Sequence, residues 1–135
     1  MELITNRTEQ DVRQKDGRGA YSYMDLNRVE RAVTDVLNAA VQMDTPLDLE
    51  TKTDWGPPGV FPENFPTASQ MERYLGNVRM IRSAFGISVA LPQSMSRLTW
   101  RSANNIERVL QEALQIADQT ISNFVFCGEL FAGEE

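Results

Sequence analysis

One helix opening is written three times in this chain, and that repetition limits its folds more than any other feature. The copies read "YMDLNRVERAV" at residues 23–33, "FPTASQMERYL" at 65–75 and "WRSANNIERVL" at 100–110. Each is followed by apolar residues at helical spacing. The first series is Leu26, Val29, Val33, Val36, Leu37 and Ala40; the second is Met71, Tyr74, Leu75, Val78, Ile81 and Phe85. The third runs Ala103, Ile106, Leu110, Ala113, Leu114, Ala117, Ile121 and Phe124, and Val109 and Ile116 widen it. Three principal helices are predicted, at about 25–43, 67–85 and 102–123. The unequal intervals between copies exclude a regular solenoid, which needs a fixed period.

The repeated residues have a mechanical reading. Asp25, Thr67 and Ser102 are candidate N-caps, because their side-chain oxygens can accept from backbone N–H groups of the first turn. Tyr23, Phe65 and Trp100 precede the caps by two residues and can fold back over that turn, in the manner of a displaced hydrophobic staple. Asn27, Ser69 and Asn104 can bond free backbone groups nearby. The pairs Glu30/Arg31, Glu72/Arg73 and Glu107/Arg108 need other partners, since adjacent helical residues do not face each other. Exposed pairs at i,i+4, such as Arg31–Asp35 and Arg108–Glu112, contribute only about 0.3–0.5 kcal/mol. A partly buried Glu-to-Arg contact between helices explains the motif better.

Proline and glycine separate the three helices. Pro46 ends the first and Gly86 the second. "LDLETKTDW" (47–55) alternates and predicts a half-exposed strand. "ISVALP" (87–92) predicts a weaker strand or extended connection, and "FVFCGELF" (124–131) a short strand turning at Gly128. "WGPPGVFPENFP" (55–66) is stiffened by four prolines and carries Trp55, Phe61 and Phe65. These aromatics either cover the bundle or form a partner-binding patch. Residues 1–20 form an arm in which Thr8 caps a short helix that Gly17 stops; weak packing is expected of it. The expected architecture is mainly α: a three-helix bundle over 21–135 with a short N-terminal helical arm and a small β element.

Composition removes whole classes of function. At 135 residues the chain is the size of one domain, and its net charge of −6 supplies no basic footprint for nucleic acid. With one cysteine and no histidine, an intramolecular disulfide is impossible, and zinc and Ser–His or Cys–His chemistry lose their usual groups. No phosphate-cradling loop or calcium-loop spacing is present. Asp48, Glu50 and Asp54 could be read as paired carboxylates for acid–base work, but the plainer reading is a solvated strand face. The N-terminus does not read as a signal peptide and no run of about 20 apolar residues exists. The expectation is a non-enzymatic protein without cofactor or metal, made in a cytoplasm, with no membrane or nucleic-acid partner.

"ITNRTEQDV", "YSYMDLNRVERAV", "TKTDW", "PTASQMERYLGNVRMIR", "LPQSMSRLTWRSANNIERVL" and "CGELFAGE", in that order, resemble a family of largely uncharacterised proteins encoded by phages and prophages of Gram-positive bacteria. The chain departs from the family's look in a short link after "DV" and in Cys127, where serine is expected. The resemblance implies a virion structural or adaptor protein of the tail or baseplate region, assembled with other virion proteins and as repeated copies or a homo-oligomer. A non-virion interaction module, such as a tail-assembly chaperone or regulator, is the alternative. Partner-binding candidates are Trp55, Phe61 and Phe65 on the proline loop, Val109 and Ile116 on the third helix, and Phe126 and Phe131 in the tail. The tail either closes the domain's own sheet or pairs with a neighbouring chain's strand edge.

Overall fold

The structure is a computed structural model that describes residues 3–14, 21–56 and 66–132, with side chains described over 3–13, 21–56 and 66–123. It is mainly helical. A short α1 (Glu9–Gln14) precedes three long helices, α2 (Tyr23–Gln42), α3 (Ala68–Ala84) and α4 (Trp100–Ala132). The long helices pack on one another, α2 most extensively on α4. Val29, Val33 and Val36 of α2, Leu75, Val78 and Ile81 of α3, and Ile106, Val109, Leu110 and Ala113 of α4 make the core. These positions repeat at helical spacing, so each helix buries one face.

The first turns are capped, but not everywhere by the expected residues. Ser22 caps α2, and Asp25 closes the capping box as its third residue by accepting from the Ser22 N–H at 2.7 Å. Thr67 caps α3 with Gln70 in the same role. At α4 the hydroxyl of Thr99 accepts from Ser102 N–H, so Thr99 occupies the cap and Ser102 the third position. The first and third copies thus start their helices three residues earlier than the second, because Ser22 and Thr99 are better placed than Asp25 and Ser102. Thr8 and Asp11 form a third capping box at α1, at the cap expected there.

α2 and α3 end alike. Asp44 (φ 59°) and Gly86 (φ 66°) take the left-handed conformation. Thr45 N–H then reaches Ala40 C=O, and Ile87 N–H reaches Arg82 C=O, which closes a Schellman motif at each end. Gly86 suits that conformation; Asp44 adopts it at some cost.

No strand forms among the described residues, so the expected β element is corrected. Residues 47–56 are extended, yet their backbone pairs with helix side chains instead of another strand. Asn77 Nδ2 and Arg73 Nη1 donate to Glu50 C=O, at 2.6 and 2.8 Å. Residues 87–92 are also extended; Arg82 donates to Val89 C=O, and Arg79 to the carbonyls of Pro92 and Gln93. The segment 124–131, expected as a strand, continues α4, and Gly128 does not interrupt it. Its apolar residues carry on the helical spacing of the core stripe, which explains that outcome.

Candidate functional site: two Asn-x-x-Glu clasps

The thrice-written opening produces a pair of matching polar sites. On α2, the amide of Asn27 brackets one residue of the extended segment: Trp55 N–H donates to Oδ1 at 2.8 Å, and Nδ2 donates to Trp55 C=O at 2.9 Å. One turn on, Glu30 Oε1 accepts from Lys52 N–H at 3.1 Å and Oε2 from the indole Nε1 of Trp55 at 2.6 Å. Arg73 of α3 then clamps both oxygens, Nη1 to Oε1 at 2.7 Å and Nη2 to Oε2 at 3.0 Å.

On α4 the same arrangement holds the N-terminal arm. Arg7 N–H donates to Asn104 Oδ1 at 2.9 Å, and Asn104 Nδ2 donates to Arg7 C=O at 3.0 Å. Glu107 Oε1 accepts from Ile4 N–H at 2.9 Å, and Oε2 from Arg7 Nη2 at 2.5 Å. Arg28 of α2 supplies the fork, Nε to Oε1 at 2.6 Å and Nη2 to Oε2 at 2.8 Å.

The backbone contacts match atom for atom, while the fork uses Nη1 and Nη2 of Arg73 but Nε and Nη2 of Arg28. Ile4 and Arg7 take the places of Lys52 and Trp55, and "ITNR" and "KTDW" share a threonine followed by Asn or Asp. Arg28 and Arg73 stand at the same place after their caps, Ser22 and Thr67. The chemistry explains the residue types. A side-chain amide carries both a donor and an acceptor, so it satisfies an extended residue as a neighbouring strand would. A carboxylate accepts only, and its two oxygens together meet a backbone N–H, a side-chain N–H and a guanidinium fork.

The surroundings differ. Glu107 is fully buried, with Arg7 2% and Arg28 16% exposed, and Asp25 adds a second carboxylate that bonds Arg7 and Arg28 at 3.2 and 2.5 Å. The cluster balances two cations against two anions, and every buried side-chain polar atom described in the structure has a partner. At α2, among the described residues, the charge that pairs with Glu30 is that of Arg73, which is 23% exposed. Burial of Arg28 works against its charged form, but its hydrogen bonds to Glu107 and Asp25 outweigh this and raise its pKa. Glu30 likewise raises Arg73. Beside the α4 cluster, the hydroxyls of Tyr21 and Tyr74 share a short hydrogen bond. Burial pushes both phenols up, the one well above the ordinary tyrosine range and the other beyond it. Arg7 also lies over the Tyr21 ring, and Lys52 over that of Trp55.

Among the described residues the third copy makes no such site. Ser69 and Glu72 are exposed, and the later start of α3 puts Leu75 where α2 and α4 carry their glutamates. Glu72 instead edges an apolar groove of about 620 Å³ lined by Tyr23, Leu26, Met71, Leu75, Met95 and Leu98. The inter-helix Glu-to-Arg tie expected from the motif is present as Glu30–Arg73. Arg31 and Arg108 stay exposed, and among the described residues neither of their i,i+4 pairs, Arg31–Asp35 and Arg108–Glu112, forms.

The arm packs far more tightly than expected at its tip, where Arg7 is 3% exposed. Its partners lie about a hundred positions away in sequence, and spacing on one helix does not reveal them. The signal available was the likeness of "ITNR" to "KTDW". Asn27 and Asn104 bond distant backbone, not the nearby groups expected. Of the partner-binding candidates, Trp55 and Val109 are buried in the chain's own core, Trp55 in the bundle-covering place that is the other reading of the proline-loop aromatics. Ile116 is exposed. Phe61 and Phe65 lie outside the described residues; Phe126 and Phe131 lie on α4, with side chains outside the description.

Among the described residues no group of acidic or cysteine side chains could hold a metal, and no helix is long and apolar enough to cross a membrane. No family model matches the chain, and no curated protein or solved structure matches it either.

Proposed function

We propose that this chain is a structural or adaptor protein of a phage-like particle, in the tail or baseplate region, and that it acts by assembly with other proteins. The family resemblance supplies the particle; α4 supplies the physical support. The buried stripe of α2 runs from Leu26 to Ala40 and that of α4 from Ala103 to Ala117. The two helices meet near their starts through Arg28 and Glu107. α4 continues to Ala132, about four further turns at 3.6 residues per turn. That extension carries Phe124, Val125, Phe126, Leu130 and Phe131. Apolar residues at this density call for cover, and Ile116 already opens an exposed apolar position on the same helix. The clasps fit the same role, since they are devices for fixing extended chain on helices. Mass spectrometry of purified particles tests the reading: the chain is expected as a stoichiometric component. Presence in infected cells with absence from mature particles would replace it with the assembly-chaperone alternative.

A further inference from the structure

We draw no further inference here: the strongest candidate, the apolar groove at the starts of α2 and α3 that Tyr23, Met71, Leu75 and Leu98 line, runs to Gly56 and Pro66, the ends of two described stretches, and nothing in the structure shows what covers it.

Discussion

The clasps on α2 and α4 use one chemistry in two electrical settings. At α2 the glutamate is buried, but its arginine keeps about a quarter of its side chain in water. At α4 the carboxylate, its two arginines and a second carboxylate are enclosed together. Enclosure makes each member depend on the rest, because a charge left behind has no water to turn to. The α4 site is therefore the brittle one, although the hydrogen bonds look alike.

Removal of the glutamates gives the largest contrast. Glu107→Ala leaves Asp25 as the one carboxylate beside the enclosed Arg7 and Arg28 and is expected to cost about 3–5 kcal/mol, close to the whole stability of a marginal domain. Glu30→Ala frees Arg73 to reach solvent and is expected to cost about 2 kcal/mol, mostly in unmet Lys52 and Trp55 donors. Urea unfolding measures both. Equal losses would show that enclosure does not matter and that the clasps are equivalent.

The asparagines sharpen the comparison in space. Asn104→Ala and Asn27→Ala each leave a backbone N–H and C=O unpaired and are expected to cost about 1–3 kcal/mol. Hydrogen exchange separates them. Loss of Asn104 is expected to release the amides of Ile4 and Arg7 while Trp55 stays protected, and loss of Asn27 to do the reverse. Exchange spreading to both segments in either variant would mean that the clasps open as one unit.

Alkaline pH probes the buried tyrosine pair beside the α4 clasp. Burial raises the pKa values of Tyr21 and Tyr74 in the fold above the unfolded value near 10. Their contribution is whole below about pH 10 and is lost as pH rises beyond it, because the unfolded chain releases those protons first. Stability is expected to fall steeply above about pH 10, and less steeply in Tyr21→Phe. An unchanged slope in that variant would remove Tyr21 from the account. The smallest effect is expected at the end of α2: Asp44→Gly relieves the left-handed residue and should stabilise the chain by about 0.5–1 kcal/mol in thermal unfolding. A loss would show that the Asp44 side chain contributes there.

Helical spacing alone determines much of this molecule. Val29, Val33 and Val36, Ile81, and Ile106 and Leu110 recur with a helix's period and are core in the structure, since a helix must bury its apolar face. Thr8 and Thr67 as caps and Gly86 as a stop follow from local backbone chemistry. Tertiary structure decided the rest, because the deciding partners are remote. Alternation in "LDLETKTDW" signals extended chain, but only the amides and guanidinium groups of α2 and α3 settle that no second strand pairs with it. The apolar run at 124–131 suits strand or helix over so few residues, and continuity with α4 resolves it as helix. The opening repeated three times announces three helix starts. Which copies become clasps depends on a shift of one cap, which leaves Glu30 and Glu107 inside and Glu72 in water. A carboxylate buried among arginines from other elements is invisible to any rule confined to its own helix, because its energy comes from charges that the fold alone brings together.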